Sequence, residues 1–296
     1  MLRVEKLSKK FKNNDYYSLK DVSFEISQGE IVGLIGKNGA GKTTLMKLIA
    51  KAIRPTSGQV DLNDINIYKK HNSLKDFGFM IEGTLFNHLT AIEHLKYFIK
   101  LNGEKKHEAN IEEILKFVGL WDKRNKNPRN YSFGMKQRLS LALCLITDPK
   151  ILILDEPFVG LDPNGVANLI HTLKTWAEKK DSAIIISSHQ LSELEAICHR
   201  YLFIDNGQLK EDFNSDHEVV TVIEIDKPLN LDSAIAIKYD SIIHKTKQAN
   251  IIEIPAESPE FNELISDLTK DYRIISIKEK KDSIQDRFKV GSDRND

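Results

Sequence analysis

The sequence predicts an α/β fold, with a mostly parallel sheet covered by helices on both faces and a smaller α+β unit after it. Three features lead there. Short, continuously apolar runs at Ile31–Ile35, Ile151–Leu154, residues 183–186 and residues 201–204 have the character of strands buried on both faces. Helix-length segments separate them, which is the alternation a parallel sheet requires. A glycine-rich turn follows the first run and opens onto a helical pattern.

Taken in chain order, Val22, Phe24 and Ile26 alternate as in a half-buried strand, and Ile31–Ile35 reads as a buried one. From Lys42, Leu45, Leu48, Ile49 and Ala52 share one helix face, with Pro55 just beyond. Strands are expected at 58–62 and 77–81. From about 84 to 130 the period becomes helical (Ile111, Ile114, Leu115, Val118) and closes in a polar, proline-containing stretch at 123–130. The apolar strands at 151–154, 183–186 and 201–204 follow, and Asn206-Gly207 is a hairpin signal after the last. A second unit is expected from about Glu211, with strands at Val219–Ile225, 250–254 and 272–278 and a helix at 259–270. Residues 291–296 read as a frayed tail.

The 296 residues carry 43 Lys+Arg and 43 Asp+Glu, so the formal net charge is zero. From Glu211 onward the balance is acidic, 12 basic against 19 acidic residues, which leaves an equal basic excess in residues 1–210. That excess favours an anionic ligand or simply a solvated surface. It is not clustered as a nucleic-acid footprint would be, so no nucleic-acid partner is expected. No uncharged run approaches the roughly 18–20 residues that span a bilayer, and the start lacks a signal-peptide pattern. Cys144 and Cys198 lie far apart without CxxC spacing, which argues against a disulfide framework or a cysteine zinc site. A cytoplasmic chain is expected.

Gly36-Lys37-Asn38-Gly39-Ala40-Gly41-Lys42-Thr43 fits the GxxxxGK[ST] phosphate loop and sits between an expected strand and an expected helix. Glycines let the backbone curl so that successive N–H groups face an anion, and the helix start, including Thr44, adds partial positive charge. Lys42 supplies a cation for the β- and γ-phosphates of a nucleotide, and the Thr43 hydroxyl can ligate Mg²⁺. Asp155 and Glu156 end the apolar strand 151–154. Ligands gather at the carboxyl ends of such strands, which brings Asp155 beside that magnesium and Glu156 beside the γ-phosphate, where it can polarise a water. An ordinary strand followed by a helix-capping acid would carry the same letters.

With these motifs stand Tyr131-Ser132-Phe133-Gly134-Met135-Lys136-Gln137-Arg138, Gly160-Leu161-Asp162 and Ser188-His189. The set, in this order, resembles the ATP-binding subunit of an ABC transporter over about residues 1–210. The first segment is similar to the family's signature motif, the second to its D-loop and the third to its switch histidine. Phe11 occupies the place of the adenine-stacking aromatic, and Glu82 that of the Q-loop glutamine. Glu82, the signature with Phe133 in place of a second glycine, and Ile186-Ser187-Ser188-His189-Gln190-Leu191-Ser192-Glu193 resemble the bacitracin-resistance and lantibiotic-immunity subgroup. On their own, Phe11 reads more often as a core aromatic, Ser132 and Gly134 as a helix cap and turn, and Glu82 as a loop cap.

The resemblance implies a P-loop NTPase fold of ABC type: a mostly parallel core, an antiparallel β subdomain and a helical subdomain at about 84–147. Residues 1–210 would form the ATPase domain and 211–296 a small accessory α+β domain. It implies ATP and Mg²⁺ as ligands, with Thr43, Glu82 and Asp155 at the metal. Glu156 would be general base, with His189 and Lys42 on the γ-phosphate. It implies a head-to-tail dimer, homomeric or heteromeric, in which Ser132 and Gly134 of one subunit meet the nucleotide of the other and Asp162 couples the sites. The helical segment would dock a membrane-spanning permease and hold the chain at the cytoplasmic face of the membrane. Export of a peptide or a hydrophobic toxic compound is the expected role. The alternatives are a soluble ABC ATPase of the translation or DNA-repair type, which usually has tandem units or long coiled coils, and an unrelated P-loop kinase or GTPase, for which the guanine-reading NKxD motif is missing.

Overall fold

Strands with almost no polar residue on either face lie at the centre of the first sheet, and the rest of the chain is built outward from them. The computed structural model describes residues 1–12, 14–81, 85–214, 219–230, 233–245, 249–256 and 258–281. Glu82 and the tail 291–296 lie outside the described residues. The elements of the first part are β1 (Leu2–Lys9), β2 (Leu19–Ile26), β3 (Ile31–Ile35), α1 (Lys42–Ile49), β4 (Ser57–Leu62), β5 (Ile65–Asn66), β6 (Phe77–Met80), α2 (Ala91–Leu101), α3 (Ile111–Phe117) and α4 (Phe133–Leu145). They continue with β7 (Ile151–Leu154), α5 (Pro163–Lys180), β8 (Ala183–Ser187), α6 (Leu191–Glu195), β9 (Arg200–Asp205) and β10 (Gln208–Asn214).

Two compact units divide the chain, Met1–Ser215 and Asp216–Asp296. The first holds a six-stranded sheet of order β10-β9-β3-β8-β7-β6. β6, β7, β8, β3 and β9 run parallel, and β10 returns antiparallel to β9. Every residue of β3, β7 and β8 is buried, the reason their sequences contain almost nothing polar. The expected hairpin forms at Asn206 and Gly207, both with positive φ (47° and 75°). The unit extends past the hairpin through Ser215 because β10 pairs with β9 along its length.

A second sheet in the same unit is antiparallel, of order β2-β1-β4-β5. β1 is a strand that the sequence pattern does not reveal. Its alternation fails because Lys6 sits at φ 44° and the register with β2 shifts between Val4 and Leu7, so Leu7 returns to the core out of phase. α1 ends earlier than its apolar letters suggest: Lys51 turns to φ 55° and Ala52 is exposed instead of continuing the buried face of Leu45, Leu48 and Ile49.

The helical stretch divides into α2 and α3, with 3₁₀ turns at Lys105–Asn110, Trp121–Lys123 and Pro128–Asn130, and then α4. Thr90 and Glu93 start α2 with a reciprocal cap: Thr90 Oγ1 accepts from Glu93 N (3.3 Å) and Glu93 Oε2 accepts from Thr90 N (2.7 Å). That backbone bond holds the Glu93 carboxyl below its usual range. His94 on α2 is buried and accepts the Phe86 N–H at Nε2 (2.9 Å). Cys144 and Cys198 are buried free thiols, and burial raises the pKa of both.

The second unit contains β11 (Val219–Ile225), α7 (Ala234–Lys238), β12 (His244–Lys245), β13 (Ile251–Pro255), α8 (Phe261–Asp271) and β14 (Ile274–Lys281). Its antiparallel sheet has the order β12-β13-β11-β14. Ile223, Ile225, Ile252 and Ile254 of the sheet and Leu264 and Leu268 of α8 form its core. The sequence pattern does not show α7, which at five residues is too short to display a helical period.

Candidate active site

The phosphate loop joins β3 to α1, and two of its glycines, Gly36 and Gly41, are fixed by space. A Cβ on Gly36 would lie 2.3 Å from the Ile204 carbonyl oxygen at the end of β9. Gly41 caps α1 at φ 113°, and a Cβ there would lie 2.7 Å from the Ser18 carbonyl oxygen. The loop is therefore wedged between β9 and the start of β2.

Lys42, the first residue of α1, folds back beneath the loop. Its Nζ donates to the carbonyls of Gly36 (2.6 Å) and Lys37 (3.3 Å). Burial lowers its pKa, and the charges of Glu156 and Asp155 oppose that shift. Beside it, Thr43 Oγ1 donates to Asp155 Oδ2 at 2.8 Å. The other Asp155 oxygen accepts from Ser187 Oγ at 2.6 Å, and Ser187 Oγ accepts from Glu156 N at 3.0 Å. One serine at the end of β8 therefore sets the orientation of both acids that follow β7.

Glu156 stands in the left-handed region at φ 50°, an unfavourable backbone for a residue with a Cβ. This turn aims its carboxylate at the loop after β8. Glu156 Oε2 accepts the His189 backbone N–H at 3.2 Å. Glu156 Oε1 lies 3.2 Å from His189 Nε2, yet the pair lacks hydrogen-bond alignment and Oε1 is buried without a hydrogen-bond partner. The His189 ring is half exposed.

A cleft of about 1170 Å³ opens over these groups. Lys37, Asn38, Gly39, Gly41, Lys42, Thr43 and Thr44 line it together with Asp155, Glu156 and His189. Gly36 and Ala40 support the loop from behind, outside the lining. Ser132, Gly134 and Asp162 do not line it either. Ser132 Oγ caps α4 by accepting Met135 N (3.3 Å), and Asp162 Oδ1 caps α5 by accepting Gly165 N (2.7 Å). Phe11 stays outside the lining as well, with Lys9 Nζ 5.0 Å from its ring centroid, while Tyr16 and Tyr17 line the cleft.

Sequence reasoning misses three of these features. Ser187 gives no signal as a lone serine, but the strand register finds it: Leu154 pairs with Ile186, which sets the next residues, Asp155 and Ser187, side by side. Tyr16 and Tyr17 read only as polar-flanked aromatics before β2. The left-handed backbone of Glu156 has no sequence signature.

The donor set suits a nucleotide and a hard divalent cation. A hydroxyl and a carboxylate oxygen lie within 2.8 Å of each other, as Mg²⁺ coordination favours. A buried ammonium lies below the loop for phosphate oxygens. Glu156 Oε1 accepts no hydrogen bond, so its acceptor capacity is unspent. Among the described residues no cluster of three His, Cys, Asp or Glu side chains forms another metal centre.

Residues 19–159 match the family described as ABC transporter. The chain is 34% identical over 278 residues to an uncharacterized ABC transporter ATP-binding protein, YhcH, of Bacillus subtilis, covering 91% of this chain and 89% of that one. It is 39% identical over 202 residues to the bacitracin transport ATP-binding protein BcrA of Bacillus licheniformis, covering 68% of this chain and 66% of the relative. A solved ATP-binding subunit of an ABC transporter superposes with a TM-score of 0.67 at 26% identity, covering 91% of this chain and 99% of that one.

Proposed function

The chain belongs to the ABC transporter ATP-binding proteins, the ATP-hydrolysing subunits of transporters, and on that premise we propose that it powers export of a peptide or a hydrophobic toxic compound through a separate membrane subunit. The export reading rests on the likeness to a bacitracin transport protein and on the signature and switch segments of the sequence. The transporter family sets aside the soluble translation- or repair-type reading.

The observation that carries the mechanism is the convergence of Glu156, the hydrogen-bonded Thr43–Asp155 pair and the buried Lys42 on one cleft. In the proposed reaction a water oxygen attacks the γ-phosphorus in line, the bond to the β–γ bridging oxygen breaks, and ADP leaves. Glu156 accepts the water's proton at Oε1. Lys42 and the N–H groups of residues 36–44 take up charge on the β- and γ-oxygens. His189, whose Nε2 lies 3.2 Å from Glu156 Oε1, is assigned to the γ-phosphate. Thr43 and Asp155, with Glu82, would hold Mg²⁺ and its waters; the ion would supply positive charge against the phosphates. Phe11 is assigned to the adenine face.

Ser132, Gly134 and Asp162 do not line the cleft, although Phe133, Lys136 and Gln137 beside them do; the family resemblance assigns the three to a head-to-tail dimer with a second ATPase subunit. There, the start of α4 would offer N–H groups to the γ-phosphate of the facing subunit. No described helix is long and apolar enough to cross a membrane. Attachment at the cytoplasmic face is therefore proposed to run through the permease, which would dock on the helical stretch of α2 and α3.

The test is Glu156→Gln in the full chain. An amide of the same shape cannot accept the proton, so ATP binding should persist while kcat falls by about 10²–10⁴-fold, and an ATP-bound dimer should accumulate in size-exclusion runs. Wild-type turnover in this variant would remove Glu156 from the base role.

A further inference from the structure

We infer that Glu193 is a positioning residue for ATP hydrolysis, fixing through Ser188 the short turn that carries His189 against Glu156. The inference rests on the roles proposed above for Glu156 and His189.

Glu193 lies on α6 and is 6% exposed, an unusual position for a carboxylate. Among the described residues no Lys, Arg or His forms an ion pair with it, so no cation compensates its burial. Desolvation raises its pKa; the Ser188 hydrogen bond opposes that shift and the nearby charge of Glu156 adds to it. Its Oε2 accepts a short hydrogen bond from Ser188 Oγ. Ser188, also buried, uses the same hydroxyl to accept the Gln190 N–H at 3.0 Å.

The hydroxyl has one proton, and Glu193 takes it. With that proton fixed, the oxygen's lone pairs are aimed at Gln190 N, and the turn 188–190 is closed from one side. His189 lies at the middle of that turn. Its backbone N–H donates to Glu156 Oε2. Two carboxylates thus hold one three-residue turn, one directly and one through a serine. Without the Glu193 acceptor, the Ser188 proton is free to rotate and the turn loses its inner anchor. His189 and the Glu156 oxygen that accepts from it then lose their fixed separation, and small displacements of reacting groups are kinetically expensive.

The test uses the full chain and four variants: Glu193→Ala, Glu193→Gln, Ser188→Ala and the Glu193→Ala/Ser188→Ala pair. ATPase kcat and KM, ATP affinity and Tm are measured for each. Glu193→Ala and Ser188→Ala should each lower kcat by about 10- to 100-fold with ATP affinity within about twofold. The pair should be no slower than the worse single variant, because both act through one link. Glu193→Gln keeps a carbonyl oxygen for Ser188 and should recover kcat to within about fivefold of wild type. A residue that only stabilised α6 would change Tm and leave the kcat of the folded protein intact. Unchanged kcat in folded Glu193→Ala, or losses that multiply in the pair, would overturn the inference. If Glu193→Ala does not fold, Ser188→Ala decides alone, and wild-type kcat there overturns it. Glu156→Gln is run alongside: inactivity there with full activity in Glu193→Ala sinks only this inference, whereas activity in Glu156→Gln sinks the reading of the site itself.

Discussion

A lysine held beneath a backbone loop, close to two carboxylates, is governed by opposing terms. Burial pushes the Lys42 pKa down, and Glu156 and Asp155 push it up. The ammonium is present below its pKa, so metal-free ATP affinity should decline as pH rises through that lowered value, earlier than an ordinary lysine would allow. Asp155→Asn removes one of the two raising charges and should move this alkaline decline to lower pH. Lys42→Ala should weaken binding by about 10- to 100-fold and abolish the decline. ATP titrations across pH in a chelator measure both; a decline unmoved in Asp155→Asn would mean that Asp155 does not act on Lys42. At this scale the sequence is informative about which residues meet, because Lys42, Thr43, Asp155, Glu156 and His189 each belong to a patterned segment. It says little about how they are held. Ser187 needs the strand register to be noticed, and the φ of Glu156 belongs to the turn after β7 and not to its letters.

Between elements, the start of α4 and the turn before α5 fit together at one point. The Phe133 ring rests on Gly160, where φ is 73° and an added Cβ would lie 2.6 Å from the ring edge. Gly160→Ala therefore incurs two penalties, roughly 1–2 kcal/mol for the left-handed backbone and roughly 1–3 kcal/mol for the displaced ring. In a Phe133→Ala background only the first remains. Urea unfolding of the four proteins should show the Gly160→Ala penalty shrinking by at least about 1 kcal/mol when the ring is gone; equal penalties would show that the contact carries no energy. The elements themselves are legible where burial is two-sided, as in β3, β7 and β8, since almost nothing polar interrupts them. They are hard to read where local geometry breaks the period. The irregularity at Lys6 hides β1, and the letters of α1 run on past the point where Lys51 turns the chain. The Thr90–Glu93 cap of α2 has the letters T-x-x-E, a helix start that the sequence reading does not single out.

For the molecule as a whole, every residue of the proposed site precedes Ser215. A chain ending at Ser215 should fold and bind ATP within about twofold of the full chain, because the first unit carries every residue of the site. A chain ending at Lys210 should be less stable in thermal unfolding, because it removes Glu211–Asn214 of β10, bares the edge of β9 and takes Asp212 from Arg200. If the 215-residue chain is folded but fails to bind ATP, the site extends into the second unit. The sheet order has a further consequence for how the protein is made. β3, which carries the phosphate loop, is flanked by β8 and β9, encoded roughly 150 and roughly 170 residues later. While the chain leaves the ribosome, the loop's motif is complete early, yet both edges of its strand stay unpaired until nearly the whole first unit has emerged. The nascent protein thus displays a bare, wholly apolar strand for most of its synthesis, and nucleotide can act as a folding ligand only at the end of it.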